Sequence, residues 1–218
     1  MKALIVGAGA QGRVILDILR AQGRHDSWAF VDDDPKRWGE QVNGAIVACG
    51  LDEALDSAGG CEMIVALGNP ELRMAIGNEI LRHGVPLLNA IHPSAVIMPS
   101  ARLGRGIVVG ATAVVNTDAE IADHVVINTG AVVEHDCVLG PGVQVGPGAH
   151  LGGRVEVAEA AFISTGAIVL SRLAVGARTV VGAGAVVTHS LPKRVMAYGV
   201  PARVTERLDG GFDWRRVL

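Results

Sequence analysis

The chain has 218 residues, half of them apolar, and a net charge of −3. That charge gives no reason to expect nucleic acid or acidic lipid as a partner. Cys49, Cys61 and Cys137 are an odd, widely spaced set with no CxxC pattern, which argues against a disulfide framework or a zinc knot and for buried free thiols. No apolar run approaches membrane-spanning length, and the N-terminal Met1–Val6 run is too short for a signal-peptide core, so a soluble, cytoplasmic protein is expected.

Residues 1–90 alternate between strand and helix patterns. Ala3 to Val6 reads as an apolar strand running into the glycine turn Gly7-Ala8-Gly9-Ala10-Gln11-Gly12. Val14, Ile15, Ile18 and Leu19 then recur at helical spacing, with Gly23 as the stop. Trp28 to Val31 is a second strand leading into Asp32-Asp33-Asp34-Pro35. Asp52 to Ala58 is a short helix, and Met63 to Leu67 is a third strand that ends at Gly68-Asn69-Pro70. Glu71 to His83 has helical periodicity, and Val85 to Leu88 is a candidate last strand. This arrangement predicts a small parallel α/β domain of Rossmann-like form.

A strand, a glycine turn and a helix in that order offer free helix N–H groups to a phosphate. Asp32 follows Gly12 by 20 residues, at the end of the next strand, where a carboxylate accepts ribose hydroxyls. A nucleotide site is therefore expected, although the motif does not separate NAD from a nucleotide-sugar. Gly68 lies at the same carboxyl edge of the sheet. Arg73 either meets a phosphate or stays solvated.

From Ala95 to Ser190 the chain divides into sixteen consecutive hexads without an insertion. The third position is always Ile, Leu or Val, from Ile97 and Leu103 through to Val181 and Val187. The first position is mostly small, as at Ala95, Ala113, Ala131, Cys137 and Ala149. A period of six fits neither a helix nor an alternating strand; it fits a flat-sided parallel β-solenoid. At eighteen residues per coil the repeat makes about five and a third coils, roughly 25 Å long at ~4.8 Å per strand. The solenoid is expected over residues 91–198. Residues 199–218 form a tail with Phe212 and Trp214 that covers the last coil or reaches a neighbouring subunit.

Four histidines fall in the solenoid. His124, His150 and His189 read as residues at surface corners, and no pair of them has zinc-ligand spacing. His135 differs, because it sits at hexad position five, pointing outward, with Asp136 directly after it. A carboxylate beside an imidazole fixes its tautomer and raises its basicity, as a general base needs.

Six segments in order resemble the sugar O- or N-acetyltransferases of the NeuD and PglD type. They are Gly7–Gly12, Phe30–Asp33, Ala66–Asn69, Ile91–Ala95, Asn128–Asp136 and Gly199–Arg203. The resemblance implies a Rossmann-like nucleotide-sugar domain joined to a left-handed β-helix that trimerises. It implies His135 as the base, with Asp136 enhancing its basicity. Gly9, Ala10, Gln11, Asp32, Asp33 and Gly68 are implied as nucleotide-sugar contacts. Acetyl-CoA, the co-substrate, is implied along a groove between subunits at Gln144, Thr165 and Ala183, with the Gly153 N–H near the thioester oxygen. No metal is implied. Three positions depart from the family: Gln11 and Gln144 stand where His is usual, and Asp136 where Glu is frequent.

The expected activity is acetyl transfer from acetyl-CoA to the amine of a nucleotide-linked amino-deoxysugar, for surface glycan biosynthesis. O-acetylation of a sugar or sialic acid hydroxyl is the alternative of the same class. A non-catalytic nucleotide-binding trimeric scaffold is the alternative of another class, and NAD-dependent oxidoreduction a third. Neither nucleic-acid binding nor membrane insertion is expected.

Overall fold

The computed structural model describes residues 1–208 and 212–216. The tail positions 209–211, 217 and 218 lie outside the described residues. The N-terminal sheet has five strands in the order β3-β4-β2-β1-β5: β1 (Lys2–Val6), β2 (Ser27–Val31), β3 (Gln41–Val42), β4 (Ala45–Cys49) and β5 (Cys61–Val65). All neighbours are parallel except β3 and β4, a hairpin absent from the sequence reading. Its turn is Asn43-Gly44, both at positive φ (46° and 76°), the pair that a tight two-residue hairpin requires. The segment Val85–Leu88, a candidate strand from sequence, contributes a single bridge, Leu87 to Met63.

Three helices flank this sheet. Helix α1 (Ala10–Gln22) buries Ile15, Leu16, Ile18 and Leu19 and ends at Gly23 in the left-handed conformation. Helix α2 (Leu51–Asp56) is short. Helix α3 (Pro70–Arg82) is capped by Asn69, whose side chain accepts from the Glu71 and Leu72 N–H groups. Of the three cysteines, all free, Cys137 alone is fully buried; Cys49 and Cys61 are half-buried, against the expectation of three buried thiols. No helix among the described residues is long and apolar enough to cross a membrane.

The repeat folds as two-residue strands spaced six residues apart, each pairing in parallel with the strand eighteen residues away. Hexad positions two and three form the strand. Position three and the small position one point inward and build one continuous core. Position six takes the left-handed conformation at every coil corner from Gly106 to Gly184, including non-glycine residues such as Asp118, His124, Asp136 and Arg178. The N–H of such a residue donates to the coil below, as from Asp136 to the Thr117 carbonyl at 3.0 Å.

The three outer walls, read at position two, have different fates. On the first wall Val96, Val114, Val132, His150, Ile168 and Val186 face outward, with Val96, His150 and Ile168 exposed; His150 thus stands on a strand and not at the corner expected from sequence. The second wall carries charge, including an Arg102–Glu120 ion pair. The third wall is covered within the chain. Ala90, Val108 and Val126 lie under α1 in the core shared with the N-terminal sheet. Phe162 and Val180 lie under the C-terminal segment with Met196, Leu208 and Trp214. The strand Val195–Tyr198 extends this wall, and Arg203–Arg207 pairs antiparallel with it as an end cover.

Candidate active site

A cavity of about 680 Å³ opens between the N-terminal sheet and the third wall. Its rim on the sheet side is the Gly7–Gln11 turn, Asp32 and Gly68. Gly9 is the N-cap of α1 and supplies no capping side chain, so the first helical N–H groups meet the cavity. A side chain at Gly12 would overlap the Gly7 carbonyl, which is why glycine is required where helix and strand approach. Asp32 accepts from the Ala8 N–H at 3.1 Å and from Arg37 at 3.1 Å. Arg37 also donates to the Ala8 carbonyl, bracing the turn from a position that the sequence reading passed over. Asp33 points elsewhere: its carboxylate accepts from the Leu51 N–H at 2.8 Å, at the start of α2, and it does not line the cavity.

Gln144 and Thr165 line this same cavity from the prism side, with Pro147 and Phe162. The residues grouped by resemblance as acetyl-CoA contacts are therefore divided. Gln144 is an outward residue of the third wall, and Thr165 stands on the edge where the third wall turns into the first. Ala183 is exposed one coil further along that edge, outside the cavity. Gly153 lies on a different edge, where the first wall turns into the second.

On that edge His135 Nδ1 lies 2.8 Å from Asp136 Oδ2. Donation from Nδ1–H to the carboxylate leaves Nε2 as the basic nitrogen. Asp136 is held below the usual carboxylate range, first by this hydrogen bond and then by the charge of Arg154. Gly153 stacks eighteen residues above His135, and a Cβ there would sit 2.5 Å from Nε2. Among the described residues the Gly153 N–H donates no hydrogen bond. A base nitrogen and an unspent N–H thus share one spot. His135 does not line the cavity: the two edges are separated by the full width of the apolar first wall.

Arg73 overturns both readings of it. It is fully buried, so it is not solvated, and its donors are spent on the protein. Nε donates to the His124 carbonyl at 2.9 Å, Nη2 to the Gly142 carbonyl at 2.9 Å, and Nη1 to the Leu67 and Gly68 carbonyls at 2.7 and 3.2 Å and to Gln144 Oε1 at 3.2 Å. It joins α3 and the end of β5 to the prism. Burial pulls its pKa down to about 9, which leaves it cationic at neutral pH. His124, expected at the surface, is 2% exposed and wedged against Gly77 of α3. Among the described residues no cluster of His, Cys, Asp and Glu could hold a metal ion.

Two family models match the chain: the PglD N-terminal domain over residues 2–80, and the bacterial transferase hexapeptide (six repeats) over residues 118–153. Among solved structures, PerB from Caulobacter crescentus, in complex with CoA and GDP-perosamine, is 43% identical. The match covers 94% of this chain and 98% of that one, with a TM-score of 0.89. The same enzyme, a GDP-perosamine N-acetyltransferase, has also been solved with a single histidine replaced by alanine and by asparagine. The acetyltransferase domain of PglB from Neisseria gonorrhoeae, in complex with acetyl coenzyme A, is 35% identical over 94% of this chain and 98% of that one, at a TM-score of 0.87. WeeI from Acinetobacter baumannii is 28% identical over 94% of this chain and all of that one, also at 0.87.

Proposed function

The chain belongs to the family of CoA-dependent sugar acetyltransferases that join a PglD N-terminal domain to a left-handed hexapeptide β-helix, and on that footing we propose the following acceptor and mechanism. The enzyme acetylates the amino group of a nucleotide-linked amino-deoxysugar, for surface glycan assembly in the cytoplasm. The observation that carries this reading is the pairing of a nucleotide-sized cavity at the N-terminus of α1 with an outward His135–Asp136 dyad. Gly9, Ala10, Gln11, Asp32 and Gly68 hold the nucleotide. Similarity to an enzyme solved with GDP-perosamine makes that compound the first acceptor to assay.

In the reaction the amine attacks the thioester carbonyl of acetyl-CoA while His135 Nε2 takes its proton. Asp136 steadies the resulting imidazolium. The Gly153 N–H donates to the oxyanion of the tetrahedral intermediate. Collapse expels the CoA thiolate, which recovers the proton from His135, leaving an amide and free CoA.

The separation of His135 from the cavity within one chain is the reason for reading the working unit as a homotrimer. The outward valines and isoleucine of the first wall, interrupted by His150, supply a largely apolar face that nothing among the described residues covers. Packing that face against a second copy brings the cavity of one subunit toward the His135 edge of the next, with acetyl-CoA in the groove between them.

The test is CoA release from acetyl-CoA with GDP-, UDP-, dTDP- and CMP-linked sugars, each as amino and hydroxy forms. Turnover of an amino form alone supports N-acetylation; turnover of a hydroxy form alone replaces it with O-acetylation. Binding of a nucleotide-sugar without any CoA binding leaves only a scaffold.

A further inference from the structure

Gln144 is buried, yet it is one of the residues that line the cavity. Its amide orientation follows from chemistry. Arg73 carries only donors, so the Gln144 atom that faces it at 3.2 Å is the oxygen. The NH2 group is thereby turned away from Arg73, in a residue that lines the cavity. Rotation of the amide would set two donors against each other in a dry interior, which the low local dielectric penalises.

Arg73 itself has no carboxylate partner among the described residues; its five acceptors are four carbonyls and the Gln144 amide oxygen. The two carbonyls on Nη1 belong to Leu67 and Gly68, which form the opposite wall of the same cavity. One guanidinium thus fixes a donor on the prism side, holds the Gly68 turn on the sheet side, and leaves a positive charge uncompensated behind both. Arg37, the other cation at the cavity, is already paired with Asp32 and Glu40.

We propose that Arg73 is a positioning residue and Gln144 a specificity-determining one, presenting a fixed NH2 donor that selects an anionic acceptor oxygen of the kind a nucleoside diphosphate supplies. This inference rests on the nucleotide-sugar reading of the cavity. Coenzyme A also carries a diphosphate, so the two ligands are measured separately.

The experiment is calorimetric titration of the full chain with GDP, UDP, dTDP and CDP, and independently with CoA, alongside thermal melts. Gln144→Glu keeps an acceptor for Arg73, so its melting temperature stays close to that of the parent. It removes the donor and neutralises the buried charge. Affinity for the preferred diphosphate is expected to fall about 10- to 100-fold, with CoA affinity unchanged. Arg73→Lys keeps the charge without the fork; its loss of diphosphate affinity should shrink in a Gln144→Met background, since the two act through one group. Unchanged diphosphate affinity in Gln144→Glu overturns the proposal, as does a loss confined to CoA. A parent protein that binds none of the four diphosphates overturns the nucleotide reading itself, a result visible before any substitution is made.

Discussion

The His135 ring occupies the space in which a side chain at residue 153 would begin, with Nε2 only 2.5 Å from the point where a Gly153 Cβ would stand. The glycine is therefore needed for the imidazole and not for its own backbone, which lies outside the left-handed region. Gly153→Ala should fold normally and push the ring off its line. A displacement on the order of 1 Å costs about 10²-fold, so kcat should fall by about that factor while the melting temperature barely moves. An alanine variant with parental kcat would separate this glycine from the chemistry.

His135→Ala should lower kcat by about 10²- to 10⁴-fold, with nucleotide affinity intact because the proposed nucleotide contacts, Gly9 to Gln11, Asp32 and Gly68, all belong to the N-terminal domain. Asp136→Asn is the finer probe. Asparagine tolerates the positive φ of 57° at this corner, so the substitution removes charge and leaves the backbone alone. Its kcat should lie between those of the parent and His135→Ala, in single-turnover assays at saturating acetyl-CoA.

Arg73→Met should be among the costliest changes in the chain. It strands carbonyls of Leu67, Gly68, His124 and Gly142 in a dry interior. Each buried carbonyl left without a donor costs about 1–3 kcal/mol, so a loss on the order of 10 °C in melting temperature is expected for a chain of this size. A melt within 2 °C or so of the parent would show that Arg73 is not needed to hold the two domains together.

His124 predicts how this junction responds to acid. Burial holds its pKa below the ordinary 6.5, helped by the charges of Arg73 and Arg105 and opposed by Asp123. The unfolded chain therefore takes up a proton at higher pH than the folded one. The stability that follows from keeping His124 neutral is complete above pH 6.5 and is lost as pH falls through the depressed value. Melting temperatures of the parent and of His124→Asn, compared across pH 7.5 to 5, should converge on the acid side. Parallel curves would remove His124 from the account.

Ile168 stands 40% exposed on the first wall, one strand in from its C-terminal end. Ile168→Asp should yield monomers by sedimentation, and acetyl transfer should fall in step with the trimer fraction. A monomer with full activity would mean that one chain completes its own site.

The solenoid was legible because its determinants are local and repeated: each coil restates the same small and aliphatic positions, so a count of hexads yields the core. The dyad was legible because His135 and Asp136 are adjacent in sequence. The missing elements depend on distant partners or on pairs too short to show a period. The β3–β4 hairpin has only its Asn43-Gly44 turn as a signal: β3 is two residues long, and β4, whose burial alternates, is apolar throughout and shows no polar beat. Arg73 finds three of its five acceptors 51, 69 and 71 residues away, and nothing around it in the sequence marks it as buried. The repeat alone places Gln144 on the outward face of the third wall and Thr165 on the edge after it; that the N-terminal domain lies over this wall and makes them cavity residues is a contact the repeat does not encode.

Because every coil rests on the one eighteen residues earlier, the protein tolerates changes of length in only one unit. Duplicating a single hexad would rotate all later residues by a third of a turn and carry Gly153 away from the imidazole it now sits above. Lineages that lengthen or shorten this rod must do so by whole storeys, inserted where they leave the floors bearing His135 and Gly153 adjacent.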